Sequence, residues 1–212
     1  MKPFFYYRII GKLCNIGAIL DDIAPLEENA IEFAHVNINP EPPKRITATC
    51  YSLEYCLAHS GESINERFRK DRTDEDDKKI VEMVAQHTTK VPLVLYRGVC
   101  EAVFQQTIEN ARNMGDTDLY EKSFLQTSLV NGHESNSKYH LRIFVPAGTQ
   151  AVYLGNVNDE QFYYEVDLQH GARLKILSID DEYINCKLIG FYDEENGNNN
   201  EIKDSKKKRR KS

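Results

Sequence analysis

Apolar positions recur at helical spacing up to about residue 90 and at strand spacing beyond it. "RITATCYSLEYCLAHS", residues 45–60, places Ile46, Cys50, Leu53 and Leu57 on one helical face. "INERFRK", residues 64–70, is a short amphipathic piece after the turn at Ser60-Gly61. "DEDDKKIVEMVAQHTTK", residues 74–90, opens with acids and closes on Lys90, which suits a helix dipole at both ends. The period then shortens. "VPLVLYRG" reads as a strand stopped by Gly98, and "EAVFQQTIENARNMG" as a helix with a glycine stop. Strand-like runs follow: "SFLQTSLV", "YHLRIFVPAGT", "QAVYLG", "FYYEVDL", "ARLKILSI" and "NCKLIGFYD". Turn chemistry separates them at Asn131-Gly132, Pro146-Ala147-Gly148, Asn156 to Asp159 and His170-Gly171.

Helices followed by strands argue an α+β fold with an antiparallel-rich sheet. We read a single domain over 1–195, helical over 1–90 and β-rich over 91–195, with a disordered basic tail over 196–212. "NINPEPPK", residues 37–44, is a proline-rich connector inside the helical part.

Composition changes this picture little. The chain has 212 residues, 41 % hydrophobic and 28 % charged, enough for one ordinary core. No stretch reaches the roughly 18 apolar residues of a membrane span. The apolar start, "MKPFFYYRIIGKLCNIGAIL", is interrupted by Arg8, Lys12 and Asn15, so it reads as part of the fold rather than a leader. Five cysteines (Cys14, Cys50, Cys56, Cys100 and Cys186) show no Cys-x-x-Cys spacing. They read as reduced, mostly buried thiols in an intracellular compartment, with no disulfide framework and no metal site.

Charge is uneven. Residues 203–212 carry seven Lys/Arg and one Asp, a net +6 against −6 for the whole chain, so the other 202 residues carry −12. An acidic body excludes general nucleic-acid binding through the domain face. Only the tail offers a polyanion contact, a nuclear-import signal or a solubilising end. The chain thus reads as a protein of the cytoplasm or nucleus, or as a delivered effector.

Three places carry candidate chemistry. Arg97 ends an apolar strand and is followed by Gly98, where a ligand can approach the backbone. Its guanidinium suits bidentate contact with phosphate or ribose. In "SFLQTSLV", Gln126 and Ser128 share one strand face and Thr127 takes the other. In "QFYYEVDL", Gln161, Tyr163 and Glu165 alternate onto one face, an amide, a phenol and a carboxylate in a row.

Together, "LYRG", then "FLQTS", then "YYEVDLQHG" resemble the arginine–serine–glutamate class of mono-ADP-ribosyltransferases, which includes clostridial binary toxins and phage enzymes. The resemblance runs from about Cys50 to Ile176, with "INERFRK" where that class has an Asn-containing helix. It implies N-terminal helices on a mostly antiparallel two-sheet β core, NAD as substrate and a protein acceptor, without metal or membrane. Arg97 would hold the NAD phosphates and ribose, and Gly98 would bond the nicotinamide amide through its backbone. Thr127 and Ser128 match the last two residues of the family's Ser-Thr-Ser strand, and Glu165 matches the catalytic glutamate. Lys138, with His140, would supply a cation to the pyrophosphate.

Two positions depart from that class. Gln126 replaces the first Ser of Ser-Thr-Ser, which orients the glutamate. Tyr163 stands where the class has Glu or Gln to orient the acceptor, and a phenol is a poor base at neutral pH. Gln161, one step earlier on the same face, is the alternative for that role. Transfer to a protein side chain is therefore the leading reading. NAD hydrolysis to ADP-ribose and nicotinamide, or binding without turnover, are the alternatives.

Overall fold

A computed structural model describes residues 2–39, 64–155, 163–193 and 198–201. Helices α1 (Phe4–Leu13), α2 (Ile16–Asp21) and α3 (Ala30–Asn37) come first. Helix α4 spans residues 64–69, and α5 (Glu75–Ala85) follows. Strand β1 (Leu93–Val99) leads into α6 (Glu101–Asn110), β2 (Leu119–Glu121) and β3 (Leu125–Ser128). The remaining strands are β4 (Tyr139–Val145), β5 (Ala151–Gly155), β6 (Glu165–Leu168), β7 (Ala172–Ile179), β8 (Ile184–Asp193) and β9 (Asn198–Glu201). The expected helix over 45–60 lies outside the described residues.

The strands pair in the order β2-β7-β8-β4-β1-β3-β6-β5, with β9 added to β8. Every pairing is antiparallel except β4 with β8. Strands β1 and β3 share one residue pair, Tyr96 with Ser128, whereas β1 and β4 share seven. That single pair joins the two halves of the β core, and the chain between them is free to diverge. The fold is α+β, helices first and a mostly antiparallel sheet after.

Strand alternation explains the three cores. In β1, Leu93, Leu95 and Val99 enter the main core, which Tyr7, Ala30 and Ala34 of the first helices and Phe104 of α6 also fill. Val94 and Tyr96 face the other way and pack with Leu20 of α2 and Tyr183. On the smaller half, Val166 and Leu168 join the main core, while Phe124, Val152 and Leu154 meet Ile64 and Phe68 of α4 and Ile80 and Val84 of α5. One face of β3-β6-β5 thus lies under α4. Helix α1 crosses β7 so closely that a Cβ on Gly11 would sit 2.1 Å from the Ile179 carbonyl oxygen.

Three sequence expectations change. Within the tail read as disordered from residue 196, Asn198–Glu201 form β9, paired with Gly190–Asp193 of β8. "FYYEVDL" becomes a strand only at Glu165, because Tyr164 adopts φ 46° and breaks the extended run. Among the described cysteines only Cys186 is buried; Cys14 and Cys100 are exposed, since each follows the face its element turns to solvent.

Strand β5 ends the pairing order, and Asn39 covers part of its outer edge. Asn39 Nδ2 donates to the Tyr153 carbonyl at 3.1 Å, and the Tyr153 amide donates to Asn39 Oδ1 at 2.7 Å. A side chain here imitates a neighbouring strand. Asn39→Ala leaves both buried backbone groups of Tyr153 without these partners and lowers stability by about 2 kcal/mol or more. Urea unfolding measures this as a lower midpoint at unchanged slope.

Candidate active site

Arg97 occupies the apolar face of β1, in the row of Leu93, Leu95 and Val99, and is only 8 % exposed. A buried guanidinium requires an anion and fixed acceptors. Its Nη2 donates to Glu121 Oε2 at 3.1 Å and its Nη1 to the Gln126 carbonyl at 3.2 Å. Glu121, at the end of β2, is also buried. It accepts both Nε and Nη2 of Arg69 from α4 at 3.1 Å each, and the Ser123 hydroxyl and amide at 2.9 and 3.2 Å. Burial alone would push the Glu121 carboxyl up; Arg97, Arg69 and Ser123 outweigh it and hold the group below the usual carboxylate range.

The facing wall comes from β3 and β6. Their register sets Ser128 opposite Glu165 and Gln126 opposite Asp167. Gln126 Nε2 donates to Glu165 Oε1 at 3.4 Å, and Asn65 Nδ2 of α4 donates to Gln126 Oε1 at 3.1 Å. An amide relay therefore runs from α4 to the carboxylate. Burial pushes the Glu165 carboxyl above its ordinary value. The Ser128 hydroxyl is engaged locally, donating to the Val130 carbonyl at 2.8 Å and accepting the Val130 amide at 3.0 Å. The Thr127 hydroxyl donates to the Val166 carbonyl across the strand pair.

Between these walls lies one cleft of about 290 Å³. Arg97, Gly98, Gln126, Thr127, Ser128, Tyr163 and Glu165 all line it, as do Tyr96, His133, Glu134 and Ser135. Two distant stretches of sequence, residues 97–98 and 163–165, thus share one cavity. Gly98 is covered from the loop side. Ser135 Oγ donates to the Gly98 carbonyl at 3.2 Å, and a Cβ on Gly98 would lie 1.7 Å from the Ser135 carbonyl oxygen. Only glycine fits at that position. Tyr163 stands at the rim, 38 % exposed.

The sequence between residues 51 and 209 matches the family model for ADP-ribosyltransferase exoenzymes. The chain belongs to this family. Among solved structures it is similar to Plx2a, an ADP-ribosyltransferase toxin from Paenibacillus larvae, at TM-score 0.53 and 15 % identity, covering 77 % of this chain and 92 % of that one. It is similar to C3stau2 from S. aureus, solved with NAD, at TM-score 0.54 and 17 % identity, covering 77 % and 94 %. BECa of a C. perfringens binary enterotoxin, solved with NADH, is similar at TM-score 0.55 and 18 % identity, covering 76 % of this chain and 48 % of that one. Identities this low show the shared fold. No curated protein matched the sequence.

Lys138 and His140, expected at the site of this exoenzyme family member, are not among the residues that line the cleft. The Lys138 ammonium pairs with Glu101 at the start of α6, 2.8 Å away, and both side chains are exposed. Gln161 lies outside the described residues. His140 Nδ1 sits 3.0 Å from Glu134 Oε1, behind the cleft rather than in it. Sequence reading missed Glu121, Tyr96, His133 and Glu134, and found the Asn65 helix only through the resemblance of "INERFRK". Glu121 had one available signal: an acid in the short apolar run "LYE" that a nearby buried arginine could require.

Glu121→Gln keeps the shape and removes the anion between two arginines. At neutral pH it should lower stability by about 3–5 kcal/mol, because a buried guanidinium loses its counter-charge. The folded Glu121 carboxyl titrates below its unfolded value, so its contribution is present at neutral pH and fades as pH falls through the folded value. Denaturant unfolding of both proteins should therefore converge on acidification.

Proposed function

We propose that this protein transfers ADP-ribose from NAD to a protein side chain. The observation that carries the reading is the shared cleft: Arg97 and Glu165 line one cavity in a chain of the ADP-ribosyltransferase exoenzyme family. The NAD and NADH printed with C3stau2 and BECa support that choice of substrate.

Arg97, already held by Glu121 and Gln126, meets the phosphates and ribose from the floor. Gly98, at the free edge of β1, receives the nicotinamide amide once Ser135 yields its bond to the Gly98 carbonyl. Cleavage of the nicotinamide–ribose bond develops positive charge at the anomeric carbon. Glu165, restrained by Gln126, provides negative charge there and fixes the sugar through its 2′-hydroxyl. Nicotinamide leaves, and the acceptor attacks from the open side where Tyr163 stands. Arginine acceptors in this class are oriented by a Glu or Gln at that position. A phenol there favours an acceptor held by stacking.

The test uses labelled NAD with and without a cell lysate. Label on a protein band supports transfer, free ADP-ribose alone supports hydrolysis, and NAD binding without product supports a non-catalytic role. Glu165→Ala should lower the rate by about 10²-fold or more. An Ala variant that keeps most of the rate removes Glu165 from the role. Tyr163→Glu should change which proteins are labelled while leaving NAD cleavage within a few-fold.

A further inference from the structure

Asp167 is a charged residue type in a place where the function above gives it no task. It lies two residues beyond Glu165 on the same face of β6, flanked by Gln126 on β3 and Val152 on β5. It is fully buried under α4, in the layer of Phe124, Val152 and Phe68. Neither of its oxygens receives a hydrogen bond from an N–H or O–H donor. A carboxylate cannot persist unpaired in such a place, since each unmet lone pair costs free energy that water would have supplied.

The groups around it define its state. From its own strand comes the Glu165 carboxyl, two residues away on the same face. From β1 comes Arg97, whose charge is already bound to Glu121 on β2, itself shared with Arg69 of α4. Strand β3 offers neutral Gln126, strand β5 apolar Val152, and α4 neutral Asn65, which is spent on Gln126. Among the described residues no cation pairs with Asp167: Arg97 and Arg69 are bound to Glu121, and the His170 ring packs on Phe68 and Phe124. Two neighbouring carboxyls without a paired cation hold a single proton between them. Burial, and then Glu165, hold the Asp167 carboxyl well above its ordinary value, whereas Glu165 at the cleft surface is the more easily ionised.

We propose that Asp167 is a positioning residue: as the neutral acid it donates a hydrogen bond to the Glu165 carboxylate and fixes its orientation toward the cleft. The proposal rests on the catalytic role of Glu165 given above. It replaces the orienting hydroxyl that Gln126 displaces, and it adds a donor where the 3.4 Å contact from Gln126 is long. As pH rises through the raised Asp167 value, the proton leaves, two anions adjoin, and the orientation is lost.

The experiment compares wild type, Asp167→Leu, Asp167→Asn and Glu165→Gln by steady-state NAD cleavage from neutral to alkaline pH. Carboxyl carbon NMR titration of Asp167 runs alongside. Asp167→Leu should lower kcat about 10-fold or more with KM within about two-fold, the signature of a misplaced catalytic group. Asp167→Asn, which keeps a donor, should recover most of that kcat and lack the alkaline fall seen in wild type. In the NMR titration Asp167 should retain its proton above the ordinary carboxylate range, and Glu165→Gln should lower its titration point. A Leu variant with wild-type kcat and pH profile overturns the proposal, as does an Asp167 that titrates in the ordinary range. If wild type cleaves no NAD, the functional reading fails on its own. The NMR titration then decides the bond: a lowered Asp167 titration in Glu165→Gln upholds it and an unchanged one overturns it.

Discussion

A guanidinium placed in a row of leucines and valines governs this structure. Arg97 shares its face of β1 with Leu93, Leu95 and Val99, so its charge is largely buried at the base of the cleft. That position is tenable only because Glu121 meets it, and Glu121 in turn is held by Arg69 and Ser123. The cluster ties β1, β2, β3 and α4 together at the level where β1 and β3 keep a single residue pair. Four polar contacts replace the strand pairing that is absent there, and the gap they leave is the cleft. Counted as formal charges, Arg97, Arg69 and Glu121 sum to +1, a local cationic cluster in a cleft that Glu134 and Glu165 also line.

The N-terminal helices extend the same logic to the rim. Asp21, closing α2, accepts the Tyr96 hydroxyl at 2.8 Å and pairs with Arg142 at 2.8 Å. Glu27 pairs with His133 at 3.3 Å and accepts the Tyr164 hydroxyl at 3.3 Å. Tyr96 and His133 both line the cleft. The N-terminal segment therefore braces the cleft through two of its lining residues. Tyr164 pays for that bracing in backbone strain, with φ 46°, and the kink turns Tyr163 outward at the point where β6 begins.

Strand alternation made Arg97, Gln126, Ser128 and Glu165 legible from sequence, because each is a polar group inside an apolar run and the period of two assigns it a face. The same rule, applied to β6, also puts Asp167 on the Glu165 face, yet a carboxylate in a strand gives no sign of whether water or α4 covers it. Glu121 and the contact that Asn65 makes were hidden for a different reason. Their meaning depends on contacts 24 residues away, to Arg97, and 61 residues away, to Gln126. Local pattern carries no information at that range. Lys138 was misread in the opposite direction: a cation at the right distance along the chain, but on a loop that hands it to Glu101. The strand β9 was hidden because "NNNE" carries no apolar alternation to mark it.

The replaced serine shows how the site reorganises. Placing Gln at 126 lengthens the donor arm, so the amide spans from Asn65 on α4 to Glu165, a distance a hydroxyl could not bridge. The relay is neutral throughout and cannot itself tune the charge on Glu165. Charge control must then come from a titratable neighbour, and the described residues place one acid, Asp167, against it. Serine 128, bound to the Val130 backbone, holds the turn that leads the chain toward His133 and Ser135 and is unavailable for the glutamate. Orientation in this member of the family is thus divided: an amide fixes one oxygen of Glu165, and a buried acid, while it keeps its proton, fixes the carboxyl from the core side.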